Sequence, residues 1–163
     1  GMHAIQLARM MGAFVMAVDI GQAKVDAASA QGADVAVDAA QTDFAEAARE
    51  WTNGEGVEAV LELVCGATIA TSLKALGKGG RIVIVGHHGG SPFTVEGNQM
   101  VANEWEILGS RNVSKRELAE SVALVKAGRV KPVVTGTYPL EEAETLLKRI
   151  DNREVIGRVV LEI

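Results

Sequence analysis

Short apolar segments alternate with amphipathic helical patterns along this 163-residue chain, and this alternation limits the possible folds more than any other feature. The segment 81–86, RIVIVG, is the clearest expected strand because it is rich in β-branched and apolar residues. Strands that alternate with helices of about ten residues are typical of a parallel sheet covered on both faces. We therefore predict the α/β class with a Rossmann-like, doubly wound sheet. The expected strands are 14–19, 35–38, 57–64, 81–86, 104–110 and 156–163, and the expected helices are 4–11, 22–31, 43–51, 67–76, 114–130 and 141–149. Asp43 would open helix 43–51 in a capping box, and residues 77–80 would form a turn. Helix 114–130 would carry Leu118, Val122 and Val125 on one face.

Charge and composition exclude several classes of function. The net charge of -5 offers no bulk attraction to nucleic acid or to an anionic membrane. The apolar runs are too short to span a bilayer. The chain has a single cysteine, Cys65, and three histidines, which are too few and too poorly spaced for a structural zinc site. A single cysteine fits a reducing compartment, so we expect a cytoplasmic protein.

The first twenty residues resemble the second half of a dinucleotide-binding motif. In that motif, G-x-G-x-x-G lies between a strand and a helix, and an acid about twenty residues later accepts hydrogen bonds from the adenosine ribose. Gly1 stands where the third glycine would be, and Asp19 where the ribose acid would be. Two alternatives stay open: Gly1 with Met2 is also what a cleaved purification tag leaves, and Asp19 is also a common turn residue after a strand.

Several segments, in their order and spacing, closely resemble the C-terminal half of zinc-type medium-chain alcohol dehydrogenases. They are AVDIGQAKVDAASAQGADVAVDA, GKGGRIVIVGHHGG, EWEILGSRNVSKRELAESVALVKAGRVKPVV, YPLEEAETLLKR and IGRVVLEI. The resemblance extends over essentially the whole chain. The VKPVV, YPLEEA and GRVVL segments are its most specific part, because other nucleotide-binding domains lack them.

The resemblance implies a set of residues that bind the cofactor. Asp19 would hold the adenosine ribose, with Lys24 beside it, and Ile20 would lie against the adenine. A carboxylate at position 19 repels a 2′-phosphate, so NAD is favoured over NADP. Lys24 is equally consistent with a solvated helix residue, and Cys65 with a small buried apolar one. The full set is Gly1, Asp19, Ile20, Lys24, Val64, Cys65, Val85, Gly86, His87, Gly109 and Asn112.

The sequence also departs from the family pattern. The zinc ligands of the family lie mostly in a preceding barrel domain, and the first strand and most of the glycine loop are not matched here. We therefore expect an N-terminally truncated fold, no catalytic residue and no metal ligand. We also expect weak or undetectable NAD binding and no alcohol oxidation by this chain alone. The whole protein would be a zinc-type NAD-dependent alcohol dehydrogenase. A zinc-free quinone reductase of the same superfamily, which usually uses NADPH, and a non-catalytic NAD-binding module are the alternatives.

The resemblance also predicts how the chain is divided and assembled. Residues 1–112 would form an incomplete dinucleotide-binding domain, and residues 113–163 a segment that rejoins the catalytic domain. Residues 104–110 would pair with their twin across a two-fold axis to give a homodimer. Since the central first strand is not matched, we expect strand 14–19 to pair directly with 57–64. Otherwise a strand would be inserted between them, from the chain's own C-terminus or from a second copy by domain swapping.

Overall fold

The computed structural model describes residues 1–87 and 92–163 as an α/β arrangement of seven helices, one 3₁₀ turn and seven strands. The predicted fold class, α/β with parallel strands, is confirmed. The α-helices are α1 (Met2–Met10), α2 (Gln22–Ala30), α3 (Phe44–Trp51), α4 (Ile69–Ala75), α5 (Gly97–Asn103), α6 (Lys115–Lys126) and α7 (Ala143–Asp151), with a 3₁₀ turn at Leu140–Glu142. The strands are β1 (Met16–Asp19), β2 (Val35–Asp38), β3 (Val57–Glu62), β4 (Leu76–Ile84), β5 (Glu106–Gly109), β6 (Val134–Pro139) and β7 (Arg158–Glu162).

The chain divides into two units, each with its own contacts. The first comprises Gly1–Ala36 with Ser114–Ile163, and the second Val37–Val113. In the first unit, the side-chain amide of Gln6 pairs with the backbone of Lys131, donating to its carbonyl at 2.9 Å and accepting from its N–H at 2.7 Å. These two bonds join the N-terminal and C-terminal segments of that unit. Strands β6 and β7 run parallel there as a two-stranded sheet.

The second unit is built on a three-stranded parallel sheet in the order β3-β4-β5. Its core is a cluster of fully or nearly fully buried apolar side chains from the β3–α4 connection, α4 and β4, namely Cys65, Ile69, Leu73, Leu76 and Ile82. The guanidinium of Arg49 donates to the backbone carbonyls of Lys74, Leu76, Gly54 and Glu55, and so fastens the end of α3 to the start of β4.

Several expected elements differ from the observed ones. Residues 77–80, expected as a turn, form a bulge inside β4, because Val57 pairs with Leu76 but Ala59 pairs with Arg81. Helix α5 and strand β6 were not predicted, since neither has a clear apolar period. The apolar face of α6 was predicted correctly as a stripe, but its members Leu118, Val122 and Val125 are 54%, 44% and 39% exposed.

The expected closure of the sheet by direct pairing, or by a strand from this chain's own C-terminus, is wrong, whereas insertion of a strand from a second copy stays a prediction. Among the described residues, β1 pairs with β2, β3 pairs with β4, and β7 pairs with β6, so neither a β1–β3 ladder nor an inserted C-terminal strand is present. The observed neighbours are nonetheless those of the order 3-2-1-4-5-6 with its first strand left out. The predicted split at residues 112 and 113, with its family-based roles for the two parts, stays a prediction.

Candidate functional site

The turn after β1, in the first unit, places an acidic side chain in solvent beside a lysine. Asp19 ends β1 with its side chain 54% exposed, and the Lys24 ammonium lies 3.8 Å from its Oδ1. The N–H of Ile20 donates to the same oxygen at 2.8 Å, which fixes the direction of the carboxylate. Gly21, the N-cap residue of α2, follows with φ of 91°, a conformation that favours glycine. The predicted neighbours Asp19, Ile20 and Lys24 are therefore brought together, with Ile20 itself 52% exposed.

A cation that the sequence analysis missed lies near the start of α1. Gly1 is the N-cap of α1, and its carbonyl accepts from the N–H of Ile5 at 3.1 Å. Arg158 lies close enough for its positive charge to act electrostatically on Gly1. Arg158 is the first residue of β7, more than 150 residues away in sequence, so no local pattern could have placed it there. Peptide N–H groups at a helix N-terminus together with an arginine suit an anion.

The remaining predicted residues lie at one edge of the sheet in the second unit. Glu62, Ile84 and Gly109 are in register at the carboxyl ends of β3, β4 and β5. The residues that follow these strands therefore lie side by side, and the N–H of Ser110 donates to the carbonyl of Ile84 at 2.9 Å. This edge holds all the predicted residues of the second unit: Val64, Cys65, Val85, Gly86, His87, Gly109 and Asn112. In doubly wound folds, ligands bind at the carboxyl ends of the strands.

These residues differ in how much of each side chain is exposed to solvent. Val64 and Val85 are 43% and 47% exposed, and His87 is also exposed. Asn112 has φ of 61°, a left-handed conformation that asparagine tolerates. The side chain of Cys65 is fully buried in the core cluster, which corresponds to the second of its two interpretations. His88, which the sequence places next to His87, lies outside the described residues.

Glu62 is not among the predicted site residues, yet its side chain accepts four hydrogen bonds at this edge. It is 4% exposed, and its Oε1 accepts from the N–H groups of Val64 and Cys65, both at 2.9 Å, and from the Thr68 hydroxyl at 2.8 Å. Its Oε2 accepts from the Ser72 hydroxyl at 2.6 Å. Burial opposes ionisation, but the hydrogen bonds from Cys65, Ser72, Val64 and Thr68 outweigh it and lower the pKa of Glu62.

The signal for Glu62 was present in the sequence. Like Asp19, it is an acid at the end of an apolar strand, and it is followed by hydroxyls at positions 68 and 72, one helical turn apart. Hydroxyls at that spacing share a helix face, so a carboxylate beside them is an expected acceptor.

Gly86 lies against the backbone of the β3–α4 connection. The N–H groups of Val85 and Gly86 donate to the carbonyl of Glu62 at 2.9 and 3.2 Å. A Cβ added at Gly86 would lie 2.0 Å from the carbonyl oxygen of Leu63, which no side chain can tolerate without a backbone shift. Position 86 therefore requires glycine in this arrangement.

Comparison with known proteins identifies the family. The sequence profile described as "Zinc-binding dehydrogenase" matches residues 1–127, most of the chain. The chain belongs to the zinc-binding dehydrogenase family.

Individual members of this family are similar over nearly the whole chain. The "NAD-dependent alcohol dehydrogenase" of Saccharolobus solfataricus is 33% identical over 163 residues, 99% of this chain and 47% of that protein. The "Acryloyl-coenzyme A reductase" of Sulfurisphaera tokodaii is 30% identical over 99% of this chain and 47% of that protein. The crystal structure of the alcohol dehydrogenase from Aeropyrum pernix matches with a TM-score of 0.93 and 33% identity, over 100% of this chain and 47% of that one. The chain thus spans about half the length of these relatives.

The described residues of this zinc-binding dehydrogenase chain contain no group of three or more histidine, cysteine, aspartate or glutamate side chains placed to hold a metal ion. No helix in residues 1–87 or 92–163 combines the length and apolarity needed to cross a bilayer.

Proposed function

We propose that this chain binds NAD and serves hydride transfer between an alcohol and NAD in a dehydrogenase of its family. The observation that carries the proposal is the exposed Asp19 carboxylate, held by the N–H of Ile20 and lying beside Lys24. Such a carboxylate accepts hydrogen bonds from both hydroxyls of an adenosine ribose and repels a 2′-phosphate. The relative from Saccharolobus solfataricus, described as NAD-dependent, supports this choice of cofactor.

The other proposed contacts are those that the resemblance to medium-chain alcohol dehydrogenases implies, with Arg158 added from its place near Gly1. The N-terminal N–H groups of α1, next to Gly1, and the guanidinium of Arg158 would neutralise the pyrophosphate. Val64 and Val85 would offer apolar surface, and His87, Gly109 and Asn112 would complete the nicotinamide surroundings. When bound, NAD supplies the hydride acceptor, while the residues of this chain bind and orient it.

The substrate is not assigned by this chain's residues. One relative is described as an alcohol dehydrogenase and another as an acryloyl-coenzyme A reductase, and both descriptions imply hydride transfer to or from a carbon atom. The zinc-free quinone reductase and the non-catalytic NAD-binding module stay as alternatives. Preference for NADPH would favour the quinone reductase. A cytoplasmic location likewise stays a proposal.

The proposal is tested by measuring the dissociation constants of NADH and NADPH, by nucleotide fluorescence, for the wild type and for Asp19→Ala. We expect the wild type to prefer NADH and Asp19→Ala to lose that preference. Asp26→Ala is the matched control, because Asp26 is another exposed carboxylate whose Oδ1 accepts from Gln22, on α2. Equal affinity for both nucleotides in the wild type would refute the ribose role of Asp19.

We also propose a homodimer formed through residues 104–110. Strand β5 lies at the edge of its three-stranded sheet, and Leu108 is 43% exposed. The charge of Glu106 protects this edge strand only weakly against pairing with another chain, because Glu106 already forms an ion pair with Arg81. Light scattering at tens of micromolar should show a dimer for the wild type and for Leu118→Lys, and a monomer for Leu108→Lys. A monomeric wild type would reject the pairing.

A further inference from the structure

Glu62 connects both segments of the second unit that are proposed to face the cofactor. Its carboxylate accepts from the N–H groups of Val64 and Cys65, and its backbone carbonyl accepts from those of Val85 and Gly86. One residue therefore fixes the residues after β3 and the residues after β4 relative to each other.

The conformation of the β3–α4 connection depends on this carboxylate. Cys65 has φ of 65°, in the left-handed region that costs a non-glycine residue energy. The hydrogen bonds that the N–H groups of Val64 and Cys65 donate to Glu62 offset that cost and favour the arrangement in which Cys65 is fully buried. The neighbouring side chain, Val64, is then left 43% exposed.

Glu62 itself is closed to a ligand. It is 4% exposed, and both of its oxygens already accept bonds from within the protein. Its effect on a ligand must therefore pass through the residues that it holds.

We propose that Glu62 is a positioning residue for cofactor binding, which aims Val64 and Val85 at the nicotinamide-ribose end of the dinucleotide without touching it. This inference rests on the proposed function. The competing explanation is that Glu62 only stabilises α4 through Thr68, its N-cap residue, and Ser72. If Glu62 positions Val64 and Val85, its loss should weaken the binding of the nicotinamide end alone. If Glu62 only stabilises α4, its loss should not weaken that end selectively.

The experiment compares the dissociation constants of NADH and AMP, since AMP carries the adenosine ribose that Asp19 is proposed to hold and lacks the nicotinamide end. Glu62→Ala should raise the dissociation constant of NADH about tenfold, while that of AMP changes less than about twofold. Glu62→Gln keeps an oxygen for Val64 and Cys65, so it should restore most of the NADH affinity. Circular dichroism checks that each variant is folded.

A matched control separates positioning from stability. Ser72→Ala removes the bond to Oε2 and leaves those to Val64 and Cys65, so it should lower the melting temperature without changing the ratio of the two dissociation constants. If Glu62→Ala does not fold, Glu62→Asp carries the test. It keeps the charge but is one methylene shorter, so it should weaken NADH binding about fivefold and leave AMP binding unchanged.

The outcomes distinguish this inference from the proposed function. A wild type that binds neither NADH nor AMP refutes the proposed function, and this role with it. A wild type that binds NADH, with Glu62 variants that bind it equally well, refutes the positioning role alone. Parallel losses of NADH and AMP binding, or the same loss of NADH binding in Ser72→Ala, would show that Glu62 acts only on stability.

Discussion

Asp19 and Glu62 are both acidic residues at the end of an apolar strand, β1 in the first unit and β3 in the second. Their surroundings are opposite. The Asp19 side chain is 54% exposed, accepts from the N–H of Ile20 and lies 3.8 Å from the Lys24 ammonium. Glu62 is 4% exposed and accepts four hydrogen bonds, from two backbone and two side-chain donors.

The difference shows that one sequence pattern supports two roles. An exposed carboxylate retains acceptor capacity for a ligand, whereas a buried one with all its acceptors occupied can only organise the protein around it. The residues after each strand decide which role results. Ile20 and Gly21 leave the carboxylate in solvent, while Thr68 and Ser72 supply hydroxyls that take it into the interior.

The largest expected effect comes from Gly86→Ala, which tests the close packing of position 86 against the β3–α4 connection that Glu62 holds. The added Cβ would lie 2.0 Å from the Leu63 carbonyl oxygen, so the connection held by Glu62 must shift. We expect a loss of more than about 3 kcal/mol in the free energy of unfolding, measured by urea denaturation. The control is Gly109→Ala, where an added Cβ meets nothing within 4 Å. Equal stability of the two variants would contradict the close approach.

The next largest effect is the difference in stability between variants that lack one or the other of the two carboxylates. Glu62→Ala leaves the buried N–H of Cys65 and the neighbouring donors without their acceptor, so the free energy of unfolding should fall by about 2–3 kcal/mol. Asp19→Ala removes only exposed interactions and should change it by less than about 0.5 kcal/mol. Urea denaturation of both variants under the same conditions measures this difference. Equal losses of unfolding free energy in the two variants would contradict the prediction.

A substantial part of this arrangement could be predicted from the sequence. Strand 35–38 was predicted at its observed bounds, and Asp43 caps α3 as expected, accepting from the N–H of Ala45 at 2.8 Å. These features depend on local patterns and on one side chain reaching its own backbone. The turn with Asp19 and Lys24 belongs to the same class, because all its contacts lie within six residues.

The features that escaped prediction depend on contacts distant in sequence. Arg158 lies near Gly1 only because β7 returns to the first unit. The 77–80 segment reads as a turn from its glycines, but its pairing with β3 draws it into β4 as a bulge. The pairing of the edge strands was also mispredicted, since apolar runs specify burial and not the identity of the neighbouring strand.

A smaller effect is expected on cofactor affinity at the exposed carboxylate. Asp19→Ala should weaken NADH binding by about 1–3 kcal/mol, the usual effect of losing a charged acceptor. Asp19→Ser combined with Ile20→Arg should shift the preference toward NADPH, because the carboxylate is replaced by a cation that favours a 2′-phosphate. Titration of each variant with NADH and NADPH measures both changes. Unchanged selectivity between NADH and NADPH would indicate that Asp19 stabilises only the turn and does not bind the ribose.

The smallest expected effect is the pH dependence of stability contributed by Glu62. Its hydrogen bonds hold the pKa of the folded state below the ordinary value for glutamate, about 4.3, so the unfolded state binds the proton more readily. The stabilisation is therefore fully present above the ordinary pKa and is lost as the pH falls through the lower, folded-state pKa. Other carboxylates titrate in the same range, so the informative quantity is the difference in unfolding free energy between the wild type and Glu62→Gln, measured from pH 7 to pH 3. That difference should be constant near neutral pH and should shrink below about pH 4.3, because protonated glutamate and glutamine are then both neutral. A Glu62 difference that stays constant down to pH 3 would show that its hydrogen bonds do not favour the ionised form.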